Sequence, residues 1–595
     1  MRHLRPLLKY FARYRWHLLG GILFVTISNL FGIFPAQLTR NALDLVAEQL
    51  GAYRLAQGFG LADQVYKNLM SSIFLFGLLV LIMAVLKGVF MFLMRQTIIV
   101  MSRHIEYDMK NEIYAQYQRL GPAFYNRNST GDLMNRISED VGRVRMVVGP
   151  AVMYAINMVV MFILVLWAMF SVNARLATYV LLPLPLLTFS IYWVHKRINR
   201  QSETVQRKLS ELTTFAQESF SGIRLLKAFA AGGRYARTYA GLAEEYSEES
   251  MRLVRINAVF MPVMAWLVGI STILTVLIGG REAMAGRVTI GNIAEFVLYV
   301  NMLTWPVAAL GWIISMVQRA AASQMRINEF MQEKPELVSG SMPIQHIKGD
   351  IRFEQVSYRY SSDRDYALQD ISVNLPAGTL LGVIGKTGSG KSTFAQLLLR
   401  MMDPVEGKVL VDGADLRNLN LDMYRSRIGY VPQDTFLFSD SISANIAFGC
   451  KDGVNQEQVE QAARLAVVHD NIIGFPDQYE TRIGERGITL SGGQKQRVSI
   501  ARAIIRNPDL LIFDDCLSAV DTFTEASIFS NLRSLLKGRT GVFISHRVHT
   551  VQSCDHIVVL DKGRIAEQGS HAELVAAGGL YAQLLESQLK EEVGA

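Results

Sequence analysis

Cysteine is scarce: the 595 residues hold only Cys450, Cys516 and Cys554, and no two of them stand at a paired spacing. That excludes a disulfide framework and a cysteine-built zinc site, and fits reduced thiols. All three lie after residue 330, where tryptophan is missing. Trp16, Trp167, Trp193, Trp266, Trp305 and Trp312 precede that point, together with 20 of the 25 methionines. A chain of this length exceeds one compact core, so at least two domains are expected, shaped by two different solvents. Acidic residues are absent before the first apolar run, whereas Arg2, Arg5, Lys9, Arg13 and Arg15 crowd there. The run is long and lacks a clear small-x-small cleavage site, which argues against a removed signal peptide.

Apolar sequence fills the first half. Stretches of roughly 20 residues, enough to cross a ~30 Å hydrocarbon layer as helix, recur at 17–39, 69–94, 147–171, 174–194, 257–280 and 291–317. A buried helix of a large soluble domain accounts for one such run, not for six with an interfacial tryptophan bias. The basic start, and Lys196, Arg197, Arg200, Arg207 and Lys208 after the fourth run, put the amino terminus on the cytoplasmic side of a membrane. The formal net charge of +8 then needs no nucleic-acid partner, because the basic clusters flank spans. Lys87 is the one charge well inside an apparent span. It is a functional site by default, or it snorkels to the cytoplasmic interface if the second span ends near it.

Two long polar excursions separate spans two and three and spans four and five. Heptad-like apolar positions, Ile105, Met109 and Ile113 in the first and Leu209, Leu212 and Phe215 in the second, predict helices that continue beyond the bilayer. Gly121-Pro122 through Gly131-Asp132 and Gly232-Gly233 mark their reversal points. The reading divides the chain into a membrane domain over 1–331, a linker over 332–349 and a third region over 350–595. In the last, short strands such as Leu380–Ile384 and Thr540–Ile544 alternate with helices, the pattern of an α/β domain.

Three motifs there carry chemistry. Gly385, Lys386, Thr387, Gly388, Ser389, Gly390, Lys391 and Ser392 fit G-x-x-x-x-G-K-[ST], after an apolar strand and before a helical stretch opening at Thr393. Glycines let backbone N–H groups approach phosphate, the helix dipole favours the anion, Lys391 reaches terminal phosphates and Ser392 can hold Mg²⁺. Four apolar residues then precede Asp514, a strand that would deliver a carboxylate to the magnesium shell; strands ending in Asp are common, and the P-loop upstream gives this one its meaning. Between them Leu490-Ser491-Gly492-Gly493-Gln494 opens a basic helix, where Ser491, Gly493 and Gln494 form a second anion cradle. A plain helix cap would account for Ser-Gly alone.

This set, in this order, resembles the ATP-binding cassette (ABC) transporters, and six spans ahead of the cassette resemble an exporter half-transporter. The resemblance covers nearly the whole chain. It implies an all-α six-helix membrane domain with long cytoplasmic extensions, followed by an α/β P-loop ATPase with a helical subdomain. ATP and Mg²⁺ are the implied cofactors, with Gly385–Ser392 and Thr393 binding the nucleotide and Ser392, Gln433 and Asp514 around the metal. Gln433 resembles the Q-loop residue, Ser518-Ala519-Val520-Asp521 the D-loop, His546 the switch histidine, and Gly484-Glu485-Arg486-Gly487 the exporter X-loop. Tyr360 matches the aromatic that stacks on adenine, with Tyr358 the neighbour it could be confused with and a core-strand role the alternative for both. Thr130–Asp132 and Leu225–Phe229 resemble coupling helices, for which ordinary hairpin turns are the alternative.

In that family the signature of one cassette closes over ATP held by another, so a second half-transporter is implied. The family places a glutamate after the Walker B aspartate to activate water; here Asp515 stands instead, one methylene and up to about 1.5 Å shorter. Misplacement of ~1 Å can cost on the order of 10²-fold in rate. With Gln433, His546 and the signature intact, the expectation is the degenerate-site subunit of a heterodimer, a slow homodimer being the alternative. Hydrophobic or amphipathic compounds such as drugs or lipids are the implied substrates, at the inner or plasma membrane. A regulatory subunit gated by ATP binding is the runner-up; a soluble cassette protein acting on DNA or ribosomes is excluded by the fused spans.

Overall fold

The computed structural model describes residues 2–57, 62–361, 365–450, 453–484, 490–517 and 520–593. They form two compact units, Met1–Gln118 with Ser129–Glu333, and Arg119–Asn128 with Lys334–Ala595.

The first unit is helical. Among the described residues five helices are long and apolar enough to cross a membrane: Arg15–Arg54, Ala62–Arg119, Thr130–Val172, Gly232–Met284 and Ile290–Gln332. The fourth expected run, 174–194, is not one continuous helix. It is shared between Ala174–Leu181 and Pro183–Ser221. Pro183 takes the first helical position, where its missing N–H has no intrahelical partner to lose. The helix Ala62–Arg119, at 58 residues, spans roughly 85 Å and so projects far beyond any hydrocarbon layer. Its buried stripe, Ile98, Met101, Ile105, Met109 and Ile113, recurs every three or four residues, the spacing that keeps one face inward.

Two adjacent residues fit this unit's helices together locally. Pro150 sits in a wide π-type turn, Val147–Ala151, which absorbs the hydrogen bond that proline cannot donate. A Cβ on the adjacent Gly149 would lie 2.6 Å from the Ser102 hydroxyl, so glycine permits that close helix crossing. Two buried carboxylates of the unit are paired with arginines. Buried Asp140 accepts from Arg326, with Nε to Oδ2 at 2.9 Å, and fully buried Glu295 accepts from Arg40 at 3.2 Å and from the Tyr299 hydroxyl at 2.8 Å. Asp44 accepts from the Thr289 hydroxyl at 2.7 Å and the Gly291 N–H at 2.8 Å, fastening the start of the last helix. Lys87 lies against the middle of the first span: the Ser28 hydroxyl donates to its carbonyl at 3.2 Å and its amine rests over Gly32.

The second unit holds two sheets. The smaller has the order β2-β1-β4-β5, antiparallel throughout, from β1 (Ile351–Tyr358), β2 (Leu368–Leu375), β4 (Glu406–Val411) and β5 (Ala414–Asp415). The larger runs β10-β9-β3-β8-β7-β6. Its members are β3 (Leu380–Gly385), β6 (Ile428–Val431), β7 (Leu510–Asp514), β8 (Thr540–Ser545), β9 (His556–Asp561) and β10 (Arg564–Gly569). All its pairs are parallel except β10 with β9. β3, β7 and β8 are buried at every position, as strands covered on both faces must be. Short helices, Ile442–Ala447, Gln456–Leu465 and His469–Ile473, lie between β6 and the helix Gly492–Ile504. Ligands of such sheets gather beyond the carboxyl ends of the parallel strands, and three strands there bring chemistry together.

Candidate functional site

β3 ends at Gly385, and the chain turns through Lys386–Gly390 into the helix Lys391–Leu398. Gly388 and Gly390 have φ of +83° and +102°, a region that favours glycine. At Gly390 a Cβ would also lie 2.6 Å from the Ala367 carbonyl. The turn aims the helix amino terminus and its orphan N–H groups outward, an anion site by geometry and dipole. Lys391 Nζ donates to the Gly385 and Lys386 carbonyls at 2.8 and 3.0 Å. Burial lowers its pKa, against the opposing pull of Asp515 and Asp514. Ser389 is buried, and its hydroxyl has no hydrogen-bond partner among the described residues.

Asp514, the last residue of β7, is buried and accepts from the Ser392 hydroxyl at 3.2 Å. Burial pushes its pKa up to about 6, the Ser392 hydrogen bond and Lys391 opposing that and Asp515 adding to it. A hydroxyl beside a carboxylate is a hard-oxygen donor pair, which fits Mg²⁺ completed by phosphate oxygens and water.

Asp515 follows with φ +49°, a left-handed turn that aspartate tolerates better than most residues. Its N–H donates to the Ile544 carbonyl at 2.8 Å, tying it to the end of β8. His546, the next residue but one beyond that carbonyl, brings Nδ1 within 2.9 and 3.0 Å of the two Asp515 carboxylate oxygens. Gln433, two residues past β6, donates its amide to Asp515 Oδ2 at 3.4 Å. Three strand ends thus converge on one carboxylate.

These groups line a single cavity of about 300 Å³, which Tyr360, Ala367, Thr387 and Thr393 also border. Tyr358 is buried in the core, whereas Tyr360 is half exposed and its hydroxyl lies 3.0 Å from that of Thr393. Ala367, which carries no chemical signature of its own in the sequence, reaches the cavity through its position before β2. Ser491, Gly493 and Gln494 are not brought to this cavity. Ser491 instead caps the helix Gly492–Ile504 in a reciprocal box, with Gln494 N–H to Ser491 Oγ at 3.3 Å and Ser491 N–H to Gln494 Oε1 at 3.0 Å. Ser491 and Gly492 are exposed. Ser518 and Ala519 of the expected D-loop and Glu485–Gly487 of the expected X-loop lie outside the described residues.

The family profile described as ABC transporter transmembrane region matches residues 18–307, and that described as ABC transporter matches residues 368–518. The chain is 37% identical, over 82% of its length and 83% of the relative's, to the multidrug resistance-like ATP-binding protein MdlA of Escherichia coli. It is 33% identical, over 96% of its length and 94% of the relative's, to the probable multidrug resistance ABC transporter ATP-binding/permease protein YheI of Bacillus subtilis. An ATP-dependent lipid A-core flippase of Syntrophus aciditrophicus is 33% identical over 82% of each chain. Among solved structures, a bacterial Atm1-family ABC exporter with ATP bound superposes with a TM-score of 0.77 at 27% identity, covering 96% of this chain and 99% of that one.

Proposed function

The chain belongs to the ABC transporter family, as an integral inner-membrane transporter ATPase, and we propose that it is the slow-site subunit of an asymmetric exporter for hydrophobic or amphipathic compounds, drugs or lipids. Relatives named for multidrug resistance and for lipid A-core flipping support that substrate range, and adaptable Met-rich spans suit it. The membrane domain is residues 1–331, the linker 332–349 and the cassette 350–595.

ATP enters the cavity with its base on the Tyr360 ring and its phosphates over Thr387–Ser392. Lys391 exchanges the Gly385 and Lys386 carbonyls for terminal phosphate oxygens. Ser392, Asp514 and Gln433 would hold Mg²⁺, which neutralises phosphate charge when bound. His546 and Gln433 face the far end of the phosphate chain. Between them Asp515 carries the charge of a water-orienting glutamate on a side chain one methylene shorter, so its hydrolysis is slow while binding is retained.

The observation that carries the reading is the combination of this short carboxylate, held by His546 and Gln433, with an intact P-loop, Asp514 and signature helix. Decay of the whole site would not spare those groups. Ser491, Gly493 and Gln494 are then free to complete a competent site on a second half-transporter.

The test compares ATP turnover of the purified chain alone with that of a co-expressed pair whose other member carries glutamate at the position of Asp515. The pair should turn over far faster, and Asp515→Ala should spare most of its activity. Equal turnover by the chain alone, abolished by Asp515→Ala, overturns the asymmetric reading in favour of a homodimer. Transport of an amphipathic dye into everted vesicles, absent when both chains lack their P-loop lysine, tests export itself.

A further inference from the structure

Tyr360 and Thr393 are 33 residues apart in sequence and meet through their hydroxyls at 3.0 Å. The Tyr360 ring has a second anchor, an edge-on contact with Tyr358 at 5.2 Å and 88°, and Tyr358 is part of the buried core. Thr393 is 5% exposed and is the third residue of the helix that begins with Lys391 and Ser392. Threonine in a helix commonly turns its hydroxyl to a carbonyl three or four residues back. Among the described residues no such bond runs from Thr393; its hydroxyl serves Tyr360. The ring is held at its base by the core and at its tip by the helix that cradles phosphate.

We propose that Thr393 is a positioning residue for nucleotide selection: its hydroxyl fixes the Tyr360 ring at a set distance from the phosphate cradle. Ligands that carry a base one ribose away from a polyphosphate are thereby favoured over a bare polyphosphate. The proposal rests on the reading of Tyr360 as the base platform. It differs from a role for Thr393 as a phosphate ligand, which would serve both kinds of ligand alike.

Calorimetric titration of the full chain in nanodiscs, with ATP and separately with inorganic tripolyphosphate, separates these roles. Thr393→Val and Tyr360→Phe each remove one hydroxyl and keep shape. Each should weaken ATP binding roughly 3- to 10-fold, the range expected for one neutral hydrogen bond, and the double variant should lose no more than either single one. Tripolyphosphate affinity should stay within about twofold, and Thr393→Ser, which keeps the hydroxyl, should restore ATP binding. Equal weakening of both ligands by Thr393→Val, or no change in either, overturns the proposal, as does a Ser variant that behaves like Val. Tyr360→Ala guards the premise. If it leaves the ATP-to-tripolyphosphate ratio unchanged, the base-platform reading falls and this proposal with it; if it collapses the ratio while Thr393→Val does not, only the positioning role falls.

Discussion

His546 Nδ1 is within 3.0 Å of both carboxylate oxygens of Asp515, and the Gln433 amide donates to one of them, Oδ2, at 3.4 Å. The two residues are 31 positions apart in sequence, and the parallel pairing of β7 with β8 closes that gap by ending both strands at the same level. A carboxylate held by two side chains at the strand ends is well placed to stay near them. Reaching further out to a water molecule is what its missing methylene denies it.

Asp515→Glu should therefore raise ATP turnover at this site, by about 10- to 100-fold if restored reach is the dominant factor. Steady-state phosphate release by the chain alone measures it. A turnover that stays flat, with ATP affinity intact, would assign the slowness to something other than reach.

The phosphate cradle was legible in the sequence because it depends on backbone rules: glycine where φ is positive, a lysine and a hydroxyl at the helix start. The α/β order of the cassette was legible for a similar reason, since buried parallel strands are short continuous apolar runs. Less was visible where the outcome depends on partners far away in sequence. Tyr358 and Tyr360 differ by two positions, and only the end of β1 decides that one is core and the other lines the cavity. The Thr393 hydroxyl bond and the border at Ala367 have no local signature at all. Hydropathy marks the apolar run 174–194 but not that Pro183, with no N–H to donate, interrupts the helical hydrogen bonding at Leu182, whose backbone nevertheless stays helical.

Ser491 has two roles that substitutions can separate. Ser491→Ala removes the helix cap and should destabilise the chain by about 1 kcal/mol. Ser491→Asp keeps a good cap but sets a carboxylate where a phosphate would approach. It should therefore hold the thermal midpoint near that of the parent while abolishing turnover in a co-expressed pair. A pair that retains its ATPase with Asp at 491 would show that this end of the helix meets no phosphate.

Gly390 is constrained by both conformation and space: φ is +102° and the Ala367 carbonyl and Leu368 side chain stand where a Cβ would go. Gly390→Ala should cost on the order of 2 kcal/mol and lower the thermal midpoint, with ATP affinity falling as the helix start shifts. Gly131→Ala, in a helix with no atom within 4 Å of the added Cβ, is the control and should change neither. Equal midpoints for the two variants would mean that the turn can relax without cost.

The Arg40–Glu295 pair joins two membrane helices, and its members differ in burial: the Glu295 side chain is fully buried while that of Arg40 is 28% exposed. Removing Arg40 strands a carboxylate that keeps only neutral donors, the Tyr299 hydroxyl at 2.8 Å and the Asn292 amide at 3.3 Å. Removing Glu295 leaves a guanidinium that can still turn to water. Arg40→Met should therefore be the more damaging single change, about 3–5 kcal/mol by the usual cost of breaking a buried pair from one side. Arg40→Met with Glu295→Met should recover most of that loss, because no charge is then left without its partner. Thermal unfolding of the four proteins in the same detergent reads the order directly. A double variant no more stable than Arg40→Met would mean that the pair's packing, and not its charge balance, holds the two helices together.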